Sequence, residues 1–303
     1  MTYPQAILSI GECMVEMAPR ADGAYQRSFA GDSFNTAWYL RQVLAPDWSI
    51  DYCSGAGTDA ISAEMLAFIA GAGIGTQHIR PVEGRTVGLY MISLDNGERS
   101  FSYWRSHSAA KLLAEDRDFL KAAVSDKALI VFSGITLAIL SPEHRTTLLE
   151  VLVDARAKGA RIAFDPNMRL RLWPDAPTMT AAITAAAAVA DIVLPSFDED
   201  SQSFGDATPQ ETIARYRAGG ALTVVVKNGA GRIFAWDSAE GTVEVQPHVV
   251  SDVIDTTAAG DSFNAGFLAA RLAGKSLGPA IGAGAALSGK VIGQRGALVD
   301  VLG

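Results

Sequence analysis

The segment Val253–Phe267, VIDTTAAGDSFNAGF, places two acids, two threonines and a run of small residues at the start of a helical pattern. Small residues let a ligand approach the main chain. A strand, a flexible turn and a helix N-terminus together aim several backbone N–H groups at one point, which is how a transferring phosphoryl group is held. A carboxylate at that point cannot itself bind phosphate, but it can take the proton of a hydroxyl that attacks phosphorus while the N–H groups stabilise the developing charge. Asp261 occupies that position, and Asp255 could help organise cations. A helix cap accounts for Asp261 equally well, since aspartate suits the dipole at a helix start. It does not account for Asp255, Thr256–Thr257 or the small-residue run.

A second stretch with chemical content is Arg85–Arg105, RTVGLYMISLDNGERSFSYWR. Asn96-Gly97 between two β-rich arms predicts a two-residue hairpin. If Asp95 pairs with Glu98, Tyr90 faces Tyr103 and Gly88 faces Arg105 on one side, while Leu89, Met91 and Trp104 lie on the other. The first face is either an aromatic pair stabilising an exposed hairpin or the inner face of a lid that touches a polar substrate. Lys227, Gly229 and Gly231 follow the run LTVVVK, where glycines permit close approach of phosphate or ribose, although a glycine turn after any strand looks the same. AGKS at Ala273–Ser276 ends like a phosphate-binding loop, but Ala269 replaces the required first glycine, so Gly274 reads as a helix C-cap. Four separated histidines without cysteine neighbours argue against a structural metal.

The elements that must position these residues alternate between short β-branched runs and longer helical patterns. Candidate strands are AILSI, IDYCS, LIVFSG, RIAFD, DIVLP and LTVVVKNG. Nearly all end in Gly, Ser, Asp or Asn, which marks the carboxyl edge of a mainly parallel sheet as the place for chemistry. The chain has 303 residues, room for a large core in one α/β domain with an appendage or in two domains. Its 25 basic and 33 acidic residues are scattered and sum to −8, so no basic footprint for nucleic acid or anionic lipid is present. Cys13 and Cys53, far apart and without metal-type spacing, suit a reducing compartment. No signal-peptide layout opens the chain, and Asp191 ends the alanine tract before it could span a membrane. The cytoplasm is the expected location.

DTTAAGDSFNAGF resembles the C-terminal signature of the ribokinase-like, or PfkB-type, carbohydrate kinases, and FAGDSFNTAWYL (Phe29–Leu40) resembles their N-terminal one. DPN at Asp165–Asn167 and VVKNGAGR at Val225–Arg232 extend the resemblance over essentially the whole chain. It implies one kinase domain over 1–303: a three-layer α/β/α sandwich with a mainly parallel central sheet and a small β-sheet lid from about 12–30 and 84–108. It implies ATP, Mg²⁺ and phosphorylation of a sugar hydroxyl, with Asp261 as base and the N–H groups of Ala258, Ala259, Gly260 and Asp261 as the anion hole. A monovalent cation is left open. Ala258 stands where the family pattern has glycine, and Ser196 stands in place of the asparagine of its Asn-x-x-Glu motif. Glu199 remains as a contact for magnesium water, beside Asp255; its alternative is a solvated acid at a helix start. Ser196, Lys227, Gly229, Gly231 and Ala286 fall on the nucleotide side of the resemblance.

GECMVE, FAGDSFNTAWYL, YWR and DPNMR resemble in particular the family members that act on 2-keto-3-deoxygluconate, phosphorylating O6. The implied sugar contacts are Gly31, Asn35, Tyr90 and Tyr103. That acid sugar carries a carboxylate, and planar arginine suits a carboxylate better than lysine, so Arg105 and Arg169 are expected to hold it. Arg105 solvating the lid and Arg169 tying down its own loop is the alternative. Another kinase of the same family, for fructose, ribose or a related keto-acid sugar, and a sugar-binding protein that kept the fold without catalysis are the competing functions. The expected partners are a small acid sugar and, through the apolar outer face of the lid, a second copy of the chain.

Overall fold

The structure is a computed structural model in which residues 5–20, 22–95 and 98–302 are described. Its strands are β1 Ala6–Ile10, β2 Met14–Pro19, β3 Tyr25–Ala30, β4 Ser49–Ala56, β5 Gly75–Pro81, β6 Leu89–Asp95, β7 Glu98–Trp104, β8 Leu129–Ser133, β9 Arg161–Asp165, β10 Ile192–Val193, β11 Thr223–Val226, β12 Ile233–Asp237 and β13 Gly241–Val245. The helices are α1 Asp32–Val43, α2 Ala60–Gly71, α3 Arg117–Val124, α4 Gly134–Ile139, α5 Pro142–Ala157, α6 Ala176–Val189, α7 Phe197–Phe204, α8 Pro209–Ala218, α9 Ala259–Leu272 and α10 Leu277–Ile292. Nine strands form one sheet in the order β13-β12-β11-β10-β9-β8-β1-β4-β5. Its pairings are parallel from β5 to β11 and antiparallel from β11 to β13. The chain leaves β1 toward β4 on one side and later returns on its other side as β8. This is a topological switch, and in open α/β sheets a crevice forms there beyond the strand carboxyl ends.

Three layers follow from the period of two along the strands. Ile7, Leu129, Val131, Ala163 and Val225 point into one core, whereas Leu8, Ile130, Phe132, Ile162, Phe164 and Val224 point into the other. Residues of α1, α2, α9 and α10 cover the first face, and residues of α3 to α6 and α8 cover the second. Both faces are therefore apolar, which is why the central strands read as continuous hydrophobic runs. All six strands read from the sequence are present. β5, β12 and β13 were not among them: GTQHIRP has little β-branched content, and β13 alternates half-buried with exposed residues at the sheet edge.

A separate four-stranded sheet, ordered β3-β2-β6-β7, rises from the strand ends. β2 runs antiparallel to β3 and parallel to β6, and β6 runs antiparallel to β7. The hairpin register is the one counted from the sequence, with Tyr90 opposite Tyr103 and Leu89 opposite Trp104. The Asn96-Gly97 turn itself lies outside the described residues. A Cβ on Gly88 would stand 3.2 Å from that of Arg105, so these two are also neighbours. On the opposite face Trp104 is 58% exposed. Among the described residues no helix is long and apolar enough to cross a membrane.

Candidate active site

A cavity of about 680 Å³ lies where the carboxyl ends of the central strands, the small sheet and the N-terminus of α9 meet. Four strand ends deliver polar groups to it: Glu12 after β1, Asp165 at the end of β9 with Asn167 beyond it, Ser196 after β10 and Lys227 after β11. The small sheet adds Tyr90, Tyr103 and Arg105, and α1 adds Asp32 and Asn35, with Gly31 at its N-cap. Rigid strands thus fix groups that are far apart in sequence.

At the head of α9, Asp261 lies on the cavity wall, and its Oδ2 accepts a 2.7 Å hydrogen bond from Asn35 Nδ2. Enclosure pushes its carboxyl up to about 8, Asp32 and Asp165 push the same way, and Asn35 and Lys227 oppose them. Near neutral pH the group is poised between acid and base, as a proton acceptor needs to be. The anion-binding turn is narrower than the sequence suggested, because the Ala259 N–H already bonds Thr256 O at 3.2 Å. Gly260 and Asp261 are the next helix donors, and helix geometry gives their N–H groups no partner within the first turn. Lys227 closes the same corner. Its Nζ donates to Asp165 (3.0 Å) and Asn264 (3.2 Å), and it would stand 3.6 Å from a Cβ on Gly260.

Ala258, the N-cap of α9, has φ 59° and ψ 16°. That is the left-handed region, which costs a residue with a Cβ roughly 1–2 kcal/mol. Ala258→Gly is therefore expected to raise unfolding stability by about 0.5–1 kcal/mol. The denaturant midpoint checks it, and an unchanged or lower midpoint would show that the turn holds alanine without strain.

On the small-sheet side of the cavity the tyrosines form a layer. The Tyr90 and Tyr103 rings stack with centroids 5.9 Å apart. Tyr90 donates its phenol proton to Glu16, which also accepts from Ser28 at 3.0 Å, so the ring is held from inside the small sheet. Both arginines expected to hold a carboxylate already have acids of the chain as partners. Arg105 pairs with the buried Glu12. Arg169 pairs with Glu199, whose other oxygen accepts the Met168 N–H at 2.9 Å.

Several expected nucleotide and metal residues fall elsewhere than the sequence suggested. Ala286 is exposed and does not line the cavity; its neighbours Ala285, Ser288 and Gly289 do, because one helical step turns Ala286 outward. Gly231 is likewise outside the lining, whereas Gly229 and Ser196 are in it. Asp255 is buried away from the cavity, and its two oxygens accept the N–H groups of Thr257 (2.9 Å) and Gly296 (2.8 Å), which ties the loop before α9 to the C-terminal segment. Glu199 lines the cavity but is engaged by Arg169. Among the described residues no group of three or more His, Cys, Asp or Glu could hold a metal ion. The sequence reading missed Glu12, Asp32, Arg171 and Asn264 as site residues. Glu12 and Asp32 sit inside motifs already singled out, and a polar residue just beyond a strand end was the signal that marks Glu12. Asn264 also lies inside the quoted DTTAAGDSFNAGF, but its partner does not follow from local pattern: its Nδ2 donates to Asp165 at 2.6 Å across the fold.

A strand-end cavity of this kind, a helix-head carboxylate and a small sheet above it are the parts of a phosphotransferase, and the chain belongs to the pfkB family of carbohydrate kinases, whose model matches residues 4–301. It is an ATP-dependent carbohydrate kinase. The chain is similar to a 2-dehydro-3-deoxygluconokinase from Haemophilus influenzae, 38% identical over 299 residues that cover 97% of this chain and 95% of that one. Among solved structures it is similar to a PfkB protein from Polaromonas sp. JS666, with a TM-score of 0.82, 27% identity and coverage of 95% and 96%. The fold also matches that of a fructokinase from Xylella fastidiosa with bound ATP, with a TM-score of 0.84 and 24% identity over 97% of this chain and 94% of that one.

Proposed function

We propose that this kinase transfers the γ-phosphoryl group of ATP to O6 of 2-keto-3-deoxygluconate, with Asp261 as general base. The observation that carries this reading is one cavity that holds the helix-head carboxylate Asp261 together with three arginines, Arg105, Arg169 and Arg171. The acceptor sugar lies against Gly31, Asn35, Tyr90 and Tyr103 with its terminal hydroxyl at Asp261. Val249, Val253, Phe263 and Ile292 line the cavity with Ala285 and form an apolar wall for the nucleotide base.

Asp261 accepts the hydroxyl proton as the oxygen attacks phosphorus. The N–H groups of Gly260 and Asp261 and the Lys227 ammonium face the charge that develops on the transferring group. Magnesium, when bound with ATP, neutralises phosphate charge and takes most of its ligands from phosphate and water; Glu199 is the residue that would approach it, through water. The small sheet acts as a lid that excludes water from the activated phosphoryl group.

A neutral-sugar kinase is the second reading, favoured by the pairing of Arg105 and Arg169 with acids of the chain. ATP consumption with magnesium on 2-keto-3-deoxygluconate, its galactonate epimer, fructose and ribose separates the two. Turnover confined to the keto acids is the expected result; a preference for fructose or ribose would replace the proposed substrate.

A further inference from the structure

We infer that Asn264 is a positioning residue for phosphoryl transfer: from behind the cavity wall it fixes the Lys227 ammonium against the head of α9. The inference rests on the proposed role of Lys227 and names what aims that side chain. Asn264 lies one helical turn after Asp261 on α9 and is 2% exposed. It does not line the cavity, whereas Lys227 and Asp165 do.

The contacts among these side chains close a triangle. Asn264 Nδ2 donates to Asp165 Oδ2 at 2.6 Å, Lys227 Nζ donates to the same oxygen at 3.0 Å, and Lys227 Nζ donates to Asn264 Oδ1 at 3.2 Å. The amide fits only one way round. Reversed, its oxygen would face a carboxylate and its NH₂ group an ammonium. A buried side chain that must donate to an acid and accept from a lysine at once has to carry both functions, which aspartate and leucine do not.

Lysine needs this support because its charge is a point at the end of a flexible four-carbon stem. One acceptor, Asp165, would let the ammonium swing about it. A second acceptor on a different element fixes its position, and the third ammonium proton is left for a ligand in the cavity. Asn264 also belongs to the helix that carries Gly260 and Asp261, so the anion-binding N–H groups, the base and the ammonium are held in one frame. Lys227 Nζ would accordingly stand 3.6 Å from a Cβ on Gly260. The same ammonium opposes the push of Asp32 and Asp165 on the Asp261 carboxyl, as the Asn35 hydrogen bond does.

The test compares Asn264→Ala and Asn264→Asp, each alone and combined with Lys227→Met, with ATP binding by calorimetry as the check that each variant is folded. Asn264→Ala is expected to lower kcat about 10- to 100-fold, as a displaced charge does, and to leave KM for the acceptor within twofold. It should also move the rising limb of kcat/KM to a pH above about 8, because the charge that opposes the raised Asp261 carboxyl is no longer held in place. Asn264→Asp keeps the shape but cannot donate to Asp165, and it should shift the limb the same way. On the Lys227→Met background, Asn264→Ala should cost less than a further twofold, since the group that it aims is gone. A loss of the same size on that background, or a loss with an unmoved pH limb, would make Asn264 a packing residue only and overturn the inference. Near-normal kcat in Asn264→Ala while Lys227→Met is impaired would also overturn it and leave the proposed role of Lys227 standing. Should the wild type turn over fructose or ribose in place of the keto acid, the proposed acceptor falls, and the same comparison on that sugar decides the inference.

Discussion

Asp261→Asn is expected to lower kcat by about 10²–10⁴-fold while ATP still binds, because the amide keeps the shape of the helix head but cannot take a proton. The pH dependence should carry the same residue's mark. In the free protein its carboxyl is pushed up to about 8 by enclosure and by Asp32. The base form therefore fills in as pH rises through that value, and kcat/KM should climb roughly tenfold per unit below about 8 and level off above it. A profile flat from pH 6 to 9, or a variant with near-normal turnover, would remove Asp261 from the role of base.

The same shift has a consequence for stability whose sign is opposite to that of an ion-paired acid. An unfolded aspartate titrates near 3.9, so between there and about 8 the folded protein keeps a proton that the unfolded chain has lost. The contribution of Asp261 is fully present below about pH 4 and is lost as pH rises toward 8. Asparagine has no such loss. Asp261→Asn should thus melt several degrees above the wild type at pH 8.5, with the gap closing near pH 4. Equal melting temperatures across that range would show that the carboxyl titrates normally.

Gly134→Ala is expected to be strongly disruptive for a single added methyl group. A Cβ there would stand 1.8 Å from the carbonyl oxygen of Pro166 and 2.8 Å from Ile183 Cδ1. A backbone carbonyl cannot rotate away as a side chain can, so the Asp165–Asn167 turn must move. Asn167 already has φ 31°. Its displacement would disturb the 2.8 Å bond from Asn167 Nδ2 to Asp32, and a shift of Asp165 would disturb the partner of Lys227. A loss of about 3 kcal/mol in unfolding free energy and a drop in kcat/KM are expected together. Gly282→Ala, on α10 with nothing within 4 Å of the added atom, is the control. It should be neutral or stabilise by up to about 1 kcal/mol, as alanine for glycine in a helix does. Gly134→Ala with wild-type stability would mean that the turn has slack that its packing does not suggest.

The repeating elements and the strand ends that carry polar groups can be read from residue types and their spacing alone. The central strands were legible because both of their faces are buried, and the register of the β6–β7 hairpin followed from the pairing of Asp95 with Glu98. The helix-head aspartate stood out because small residues cluster before it. How those groups are paired is set by packing between elements far apart in the chain. Glu12 meets Arg105 and Glu199 meets Arg169 across chain separations that no local pattern encodes. Ala286 and Asp255 were displaced for a related reason. Which side of α10 faces the cavity, and which N–H groups claim a carboxylate, depend on how helices and loops pack against one another. Residue type and spacing specify which charges exist and near which strand end; their partners are set by packing in three dimensions, where a shift of one residue along a helix turns a side chain from the cavity to solvent.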